Sequence, residues 1–533
     1  MYAKALLTLL PFFTTSVVAA PKHHRDVAAD LLACAKKVLP ASQIVTPSDP
    51  SYTTARTGVI LLNDSQYPAL VTYPKEQSQV GPLVKCAVKY GFKVSPRTGQ
   101  HHFENWSSLN SSLVIDIENF SYVLPAKDLK TATVGGGARL GALYSVLEGY
   151  GVTFTAGICS SVGVGGYLGV GGYNMQMRTQ GFAVDHLKSA KVVTAAGDLV
   201  TISPTSNPEL WWAARGGGTF GIVVEAVLET AVLPRSAMFV ANFNNATTRF
   251  EALKKYNAWA PKQDPYFESQ FNFYSDRTQI LGWYLGKSKA ELEAILATSG
   301  LASVPNAQIK VSGNCSTANS RNFWTYTQDE CTDDATASAA FYGQYNVAPD
   351  ALTPLPGQVA VSAISSQPAR PDIARGALWQ RGNIYTKTFV ETKDNLLGDD
   401  DLQWLVDNTK NLPTEMGFWI EVTTFNVSTP ASNSAFPWSD KAKTLWRMQV
   451  ENEDPVKAQS KAISELFEKE FRPRVGPYTY SGYVDSKITG DIITANYGPN
   501  VCRLVKARQK FDPNFVFYNP GAVPPKAKAS WGC

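Results

Sequence analysis

Short apolar runs alternate with amphipathic segments along residues 55–235. Apolar residues spaced three or four apart predict helices, and short apolar runs between turn residues predict strands. The predicted strands are 59–62, 69–73, 92–95, 113–117, 132–134, 152–155, 191–194, 199–202 and 221–228, and the predicted helices are 76–90, 140–149 and 208–214.

Residues 236–475 differ in texture, because several of their predicted strands are longer. Such strands, followed by helical segments, are typical of an antiparallel sheet covered by helices on one face. The strands are expected at 267–273, 279–284, 359–362 and 418–425, and the helices at 290–298 and 456–471. Residues 476–533 return to mixed structure.

Two glycine-containing loops stand out in the first region. One reads Pro-Arg-Thr-Gly-Gln-His-His over residues 96–102, and the other runs over residues 157–172 with glycine at high density. A tight turn needs only one or two glycines, whereas a glycine-rich loop lets backbone N–H groups approach an anionic ligand. These loops predict a nucleotide-like cofactor.

A third glycine-rich stretch, residues 216–221, matches Gly-x-Gly-x-x-Gly literally. It follows a predicted helix and enters a strand, whereas a dinucleotide fingerprint needs a strand, a loop and then a helix. We therefore do not interpret it as a Rossmann motif.

Composition excludes several function classes. The 533 residues are 44% hydrophobic and carry a net charge of +4 without a basic tract, which gives no support for nucleic acid as a partner. No His-Glu-x-x-His motif or His/Cys/Asp cluster predicts a catalytic metal, and no Gly-x-Ser-x-Gly motif predicts a serine hydrolase.

Residues 1–20 are expected to be a cleaved secretory signal, because Lys4 precedes an apolar run that ends in small residues. The run is too short to span a bilayer, and no later segment is long and apolar enough to do so. The seven cysteines should pair in an oxidising compartment and leave one over. Asn-x-Ser/Thr triplets favour glycosylation and occur at Asn63, Asn105, Asn110, Asn119, Asn245, Asn314 and Asn426.

The loops resemble those of berberine-bridge-enzyme-like flavoproteins of the vanillyl-alcohol oxidase superfamily, which include fungal oligosaccharide oxidases. Four separated motifs carry the resemblance in the family's order: residues 97–101, 157–166, 215–223 and 496–513. The resemblance implies an α+β fold with two domains. It implies a signal peptide (1–20), a PCMH-type FAD-binding domain (21–235), a substrate-binding domain (236–475) and a segment (476–533) that returns to the FAD-binding domain.

The same resemblance implies bicovalent FAD, with an 8α-histidyl link at His101 and a 6-S-cysteinyl link at Cys159. His102 is the alternative attachment residue if the loop register shifts by one, and Cys159 is alternatively a buried thiol. Gln100 replaces a glycine of the family's first loop, although its Cβ disfavours glycine-only conformations. The other cofactor-binding residues implied are Arg97, Thr98, Gly99, Gln100, Gly157, Val162, Gly163, Gly165, Gly166 and Tyr497.

If Cys159 holds flavin, six cysteines remain to pair. The pair Cys34–Cys86 resembles the family's N-terminal disulfide, and sequence proximity suggests Cys315–Cys331 and Cys502–Cys533. Val162 occupies a position that controls oxygen access in the family, where valine goes with oxidases; plain packing is the alternative.

Two catalytic candidates follow from the resemblance. Tyr483 lies in Tyr-Ser-Gly-Tyr-Val-Asp, where the family has a tyrosine that acts as base. Glu421 lies on a strand expected to face the flavin, where oligosaccharide oxidases carry Gln and, two residues on, Asp; here Thr423 replaces that Asp. A core tyrosine and a surface glutamate are the alternatives.

The implied function is a secreted, monomeric oxidase that transfers hydride from a substrate alcohol to FAD and reduces O₂ to hydrogen peroxide. The preferred substrate is the reducing-end hydroxyl of an oligosaccharide, because residues 136–141 resemble the Gly-Gly-Ala-Arg-Leu-Gly of oligosaccharide oxidases. Aromatic residues of the central domain could stack on sugar faces, with packing in the core as the alternative: Trp283, Tyr284, Trp324, Tyr326 and Trp419. The alternatives are an oxidase of aromatic alcohols or secondary metabolites on the same scaffold, and a flavin-free binding protein.

Overall fold

The structure is a computed structural model, and it describes residues 22–58, 60, 65–159, 161–173, 176–317, 330–334, 336–337, 383–414, 416–422, 433–452 and 457–533. The α-helices are, in order, α1 Lys22–Ala35, α2 Tyr52–Arg56, α3 Gln77–Lys89, α4 Leu140–Gly149, α5 Val164–Leu168, α6 Met177–Gln180, α7 Pro208–Ala214, α8 Arg249–Trp259, α9 Lys289–Ala297, α10 Asp399–Thr409, α11 Ala458–Leu466, α12 Arg472–Val475, α13 Ile492–Tyr497 and α14 Val501–Phe511.

The strands that form the smaller sheets are β1 Ile44–Val45, β2 Leu70–Thr72, β3 Val94–Arg97, β4 Leu113–Asp116, β5 Val123–Pro125, β6 Thr131–Gly135, β7 Val152–Thr153, β8 Leu187–Val193, β9 Leu199–Ile202, β10 Ile222–Glu229 and β11 Ala231–Val232. The strands that form the largest sheet are β12 Ser236–Phe243, β13 Phe267–Phe273, β14 Thr278–Leu285, β15 Ala307–Cys315, β16 Asn383–Thr392, β17 Met416–Val422 and β18 Ala442–Asn452.

The first half of the chain builds a four-stranded sheet in the order β1-β2-β4-β3 and a five-stranded sheet in the order β5-β6-β10-β8-β9. Strands β2, β4 and β3 run parallel, with α3 as the crossover helix between β2 and β3. The five-stranded sheet is antiparallel, and its core includes residues of the later helices α13 and α14. The C-terminal helices therefore complete a core that begins more than 300 residues earlier.

Residues 236–452 contribute a seven-stranded antiparallel sheet in the order β15-β12-β14-β13-β17-β18-β16. Strand β13 alternates between two faces. Phe267, Phe271 and Phe273 pack into a large apolar core that also contains side chains from helices α8–α11. On the opposite face a second cluster, which includes Leu281 and Trp283, packs against Ile158 of the glycine-rich loop. That loop therefore lies against the face of the sheet opposite the helices.

The α+β fold and the helix-covered antiparallel sheet confirm the fold class expected from the sequence. The helix expected over 456–471 is interrupted, because residues Phe467–Phe471 form a π-helical turn between α11 and α12. The strand expected at 359–362, most of the one at 59–62 and the end of the one at 418–425 lie outside the described residues.

Three disulfides, Cys34–Cys86, Cys315–Cys331 and Cys502–Cys533, confirm the pairing expected from the sequence and leave Cys159 outside any disulfide. None of the helices in the described ranges combines the length and the apolar character needed to cross a bilayer.

Candidate functional site

The two glycine-containing loops of the sequence meet backbone to backbone. A Cβ placed on Gly99 would lie 2.1 Å from the backbone nitrogen of Gly163, and one placed on Gly163 would lie 2.3 Å from that of Gly99. A side chain at either position would separate the loops. The Cβ of a residue replacing Gly165 would likewise lie 2.8 Å from the carbonyl oxygen of Gly136. Glycine is therefore required here for close approach.

Arg139 bridges the same two loops. Its Nη1 donates hydrogen bonds to the carbonyl oxygens of Gly99 (2.8 Å) and Ser161 (2.5 Å). The side chain is buried, and its Nη2 has no hydrogen-bond partner within the described part of the chain. Since a buried guanidinium nitrogen without an acceptor is costly, this donor fits an acceptor group supplied by a ligand.

His101 points toward the loop that carries Cys159. Its Nε2 lies 2.7 Å from the Oγ of Ser161, two residues after Cys159. Burial and then the guanidinium of Arg139 lower the pKa of His101 to about 3. The imidazole is therefore neutral at ordinary pH, and one of its ring nitrogens keeps a lone pair.

His102 makes its hydrogen bonds within its own segment, residues 102–106. Its Nδ1 accepts backbone hydrogen bonds from Glu104 (3.2 Å) and Trp106 (3.4 Å), and its ring lies 5.1 Å from that of Trp106. Burial lowers the pKa of His102 to about 4. Of the two adjacent histidines, His101 is the one hydrogen-bonded to the Cys159 loop.

Cys159 is exposed. In the same loop Tyr144 donates a hydrogen bond to the carbonyl oxygen of Gly157 at 2.7 Å. Val162 is partly buried, and its carbonyl oxygen accepts the N–H of Leu140. Gly163 and Gly165 adjoin the first loop, and Gly166 is exposed in the first turn of α5. Cys159 is thus an exposed thiol on a loop whose neighbouring residues contact the first loop.

Arg97 anchors the start of the first loop through a buried ion pair and hydrogen bonds. Its Nε donates to Asp116 at 2.7 Å, and its Nη1 donates to Ala55 O and Ser108 Oγ. Both charged side chains of the Arg97–Asp116 ion pair are fully buried. A buried ion pair whose remaining donors are satisfied is rigid, because removing either partner leaves an uncompensated charge.

Gln100 adopts a left-handed backbone conformation, with φ of 63°. This is the conformation that glycine takes most easily, and it costs roughly 1–2 kcal/mol for a residue with a Cβ. The Gln100 side chain is buried, and its Nε2 donates to Asp116 at 3.2 Å. That bond joins Gln100 to the Arg97 anchor and offsets part of the conformational cost.

The backbone of the first loop offers a cradle for an anion. Within the described residues, the N–H groups of residues 98–102 have no hydrogen-bond acceptor. Consecutive N–H groups of this kind, next to the orphaned Nη2 of Arg139, match the needs of a pyrophosphate. The two loops therefore fit a flavin dinucleotide.

Tyr483 lies beside the His101 loop, at the centre of an aromatic cluster. Its ring centroid lies 5.5 Å from that of Phe103, and its hydroxyl lies 2.5 Å from that of Tyr173. The guanidinium carbon of Arg447 lies 3.9 Å from the centroid of the Tyr483 ring. The next segment is tied to the same loop, since the N–H of Ser486 donates to Glu104 at 2.8 Å.

Tyr173 and Arg447 were missed in the sequence. Tyr173 follows Gly171 and Gly172 directly, so its place just after the glycine-rich loop was an available signal. No sequence signal pointed to Arg447, because it reaches Tyr483 only through the pairing of β18 with β17 and β16. We refer to Phe103, Tyr173, Arg447 and Tyr483 as the tyrosine cluster.

Glu421 lies in β17, and its side chain is outside the described residues, as is Thr423. The pairing of β17 with β18 changes register between Ile420 and Val422, on either side of Glu421. Tyr497 is buried, and its hydroxyl lies 2.6 Å from where a Cβ on Gly218 would be. Burial raises the pKa of Tyr497 to about 12.

The aromatic residues considered as sugar platforms are only partly described. Trp283 and Tyr284 are buried in the two cores on opposite faces of the sheet. The side chains of Trp324, Tyr326 and Trp419 lie outside the described residues. The two that are described are therefore core residues and present no surface to a sugar.

Two family models match this chain: an FAD binding domain over residues 68–203, and a domain described as "Berberine and berberine like" over residues 479–524. The first covers both loops, and the second covers Tyr483. Both matches support an enzyme that binds FAD.

Similar proteins include the FAD-linked oxidoreductase pytB of Aspergillus terreus, 40% identical over 94% of this chain and 62% of its own length. The FAD-linked oxidoreductase pynB of Aspergillus niger is 37% identical over 92% of this chain and 91% of its own length. The chain thus spans less than two thirds of pytB and nearly all of pynB.

The xylooligosaccharide oxidase of Myceliophthora thermophila, solved in complex with xylobiose, has the same fold, with a TM-score of 0.74 and 21% identity over 94% of this chain and 100% of that one. Together with the two loops that fit FAD, these matches place the protein in a family. The chain belongs to the berberine-bridge-enzyme-like FAD-linked oxidoreductases.

Proposed function

We propose that this protein is a secreted oxidase that holds FAD through covalent bonds at His101 and Cys159 and oxidises a substrate alcohol with O₂. The observation that carries the proposal is the contact of His101 with Ser161, which directs a neutral imidazole toward the Cys159 loop. When bound, FAD takes two electrons from the alcohol and passes them to O₂, which yields hydrogen peroxide. Three disulfides support an oxidising compartment.

Tyr483 acts as the base in this proposal. The guanidinium of Arg447 over its ring stabilises the phenolate relative to the phenol, since a cation is attracted to the ring face and more strongly to an anion. The Tyr173 hydroxyl, 2.5 Å away, can donate a hydrogen bond to the same oxygen. Together they prepare Tyr483 to take the hydroxyl proton of the substrate. Glu421, on strand β17, remains the second candidate base.

The aromatic lining of the tyrosine cluster favours a flat aromatic or conjugated alcohol as substrate. Phe103, Tyr173 and Tyr483 are each only partly buried, so each residue keeps some surface that a ligand can contact. Edge and face contacts with aromatic rings favour a planar substrate. Trp283 and Tyr284 are buried and cannot stack on a sugar, which also favours an aromatic substrate over an oligosaccharide.

The second candidate substrate is the reducing end of an oligosaccharide. It is supported by the fold shared with the xylooligosaccharide oxidase, and by residues 136–141, which resemble the corresponding motif of oligosaccharide oxidases. In the structure Arg139 of this motif bridges the two loops. Because that role serves the cofactor site, the motif is weaker support for a sugar substrate.

Two measurements test the proposal. Secreted protein is denatured and examined by gel fluorescence and intact mass, with His101→Ala and Cys159→Ala as single variants. We expect flavin to remain attached to the wild type and to each variant, and to be lost from the double variant. No covalent flavin on the wild type would refute the attachment, and no flavin of any kind would favour the binding-protein alternative.

Peroxide production is then measured with aromatic alcohols beside cello-, xylo- and chito-oligosaccharides. Turnover of an aromatic alcohol without turnover of any sugar is expected. Turnover of sugars alone would reverse the order of the two substrate classes, and no peroxide from either would refute the oxidase.

A further inference from the structure

Within the described residues, Ser161 is the only residue whose side chain is hydrogen-bonded to the imidazole of His101, through its hydroxyl and Nε2. Ser161 is itself fixed, because Arg139 donates to its carbonyl oxygen at 2.5 Å and to that of Gly99 in the opposite loop at 2.8 Å. The side chain and the backbone of one serine are thus engaged by the two residues that join the loops. A hydroxyl held this way has a defined direction relative to the imidazole.

The hydrogen bond selects one form of the imidazole. A neutral imidazole carries one N–H and one lone pair. Nδ1 of His101 has no hydrogen-bond partner within the described residues, so a proton there would be a donor without an acceptor. With the proton on Nε2, the N–H donates to Ser161 Oγ and the lone pair lies on Nδ1. The positive charge of Arg139 opposes a second proton.

We propose that Ser161 is a positioning residue for the covalent attachment of FAD at His101: it holds the proton of the imidazole on Nε2 and leaves Nδ1 as the bonding atom. This inference rests on the proposed attachment at His101. In the balanced step Nδ1 forms a bond to the 8-methyl carbon, one methyl C–H and the Nε2–H are lost as two protons with two electrons left on the flavin, and O₂ takes up the two protons and two electrons as hydrogen peroxide.

A hydroxyl can hydrogen-bond to Nε2 both before and after the covalent bond forms. It accepts a hydrogen bond from Nε2–H before the bond forms, and it donates one to the bare Nε2 afterwards, because a serine O–H can rotate. Threonine keeps this ability, whereas valine has nearly the same shape as threonine and lacks it. Thr and Val at position 161 therefore separate the hydroxyl from the space that it fills.

The test uses full-length protein carrying Cys159→Ala, so that only the His101 link retains flavin after denaturation. Ser161→Thr and Ser161→Val are added separately, and the variants are supplied with FAD. The covalently bound fraction is followed over time by acid precipitation and peptide mass, and non-covalent FAD is measured in the supernatant. His101→Ala with Cys159→Ala gives the baseline.

We expect the threonine variant to match the Cys159→Ala parent, and the valine variant to form the link about fivefold more slowly, the equivalent of one neutral hydrogen bond. Equal rates in all three proteins, or equal losses in the Thr and Val variants, would overturn the role of the hydroxyl while the attachment at His101 stands. A parent without flavin at His101 would overturn both, and the wild type measured beside it distinguishes this case from a failure to bind FAD.

Discussion

Replacing Arg447 with methionine removes the cation over the Tyr483 ring and keeps a side chain of similar length. The guanidinium carbon lies 3.9 Å from the ring centroid, and the side chain is partly buried. The part of this contact that distinguishes phenolate from phenol is the attraction between two opposite charges, which is worth about 1–2 kcal/mol for a partly buried pair. Since 1.36 kcal/mol is a factor of ten, the variant should hold the reactive phenolate about 5–30-fold less well.

The assay is the anaerobic reduction of bound flavin by an alcohol that the peroxide screen has identified, followed by stopped-flow absorbance as a function of pH. If Tyr483 is the base, the acidic limb of the pH–rate profile in Arg447→Met should move to higher pH by about one unit. Well above that limb, the rate should recover toward that of the wild type. Arg447→Lys keeps the charge and should lie between the two proteins.

Arg277→Met is the matched control. Its guanidinium carbon lies 4.2 Å from the ring centroid of Tyr274, in the turn between β13 and β14, so it removes a similar contact outside the tyrosine cluster. The control should leave the profile unchanged. A parallel loss of rate at every pH in Arg447→Met would refute the reasoning, because it would indicate displaced substrate and an unchanged base.

Three further outcomes are expected. Asp116→Ala leaves a buried guanidinium unpaired and should lower the free energy of unfolding by about 3–5 kcal/mol in urea, whereas Asp198→Ala, which removes an exposed pair, should cost less than about 1 kcal/mol. Burial raises the pKa of Glu268 to about 8, so the folded state keeps a proton that the unfolded chain releases near pH 4.5. The free energy of unfolding of the wild type should therefore fall as the pH rises from 4.5 to 8, and it should fall more than that of Glu268→Gln, as thermal unfolding at several pH values would show. Peptide mapping of secreted protein should find glycan at exposed Asn314 and none at Asn105, which is 2% exposed; glycan at Asn105 would contradict the packing of that segment.

The predicted elements agree best with the structure where local chemistry defines their ends. Helix α7 has the predicted bounds, 208–214, with Pro208 at its first position, where a missing N–H is tolerated. Asn207 precedes it in a left-handed conformation, and its side chain makes no capping hydrogen bond. Strand β13 has the predicted bounds, because its aromatic residues alternate with polar ones. In both cases the signal lies within about ten residues, which is the range that a sequence pattern covers.

Strand β16 was not predicted, and its composition explains why. It contains Lys387, which is buried against the carboxylates of Glu468 and Asp485. A lysine in a short run usually indicates exposure. Its two partners lie 81 and 98 residues away, so nothing near it in the sequence shows that its charge is neutralised. The same limit applies to Arg447, whose role depends on strand pairing.

Gln100 shows how a departure from a family pattern can be compensated. The family has a glycine at this position, directly before the histidine, and the Cβ of Gln100 disfavours glycine-only conformations. The backbone nevertheless takes the left-handed conformation, and the amide of Gln100 bonds to Asp116, the partner of Arg97. A glycine there would remove the strain together with this bond. The loop geometry that directs His101 toward Ser161 is thus kept by a side-chain contact where the family uses backbone freedom, and the substitution leaves the proposed attachment intact.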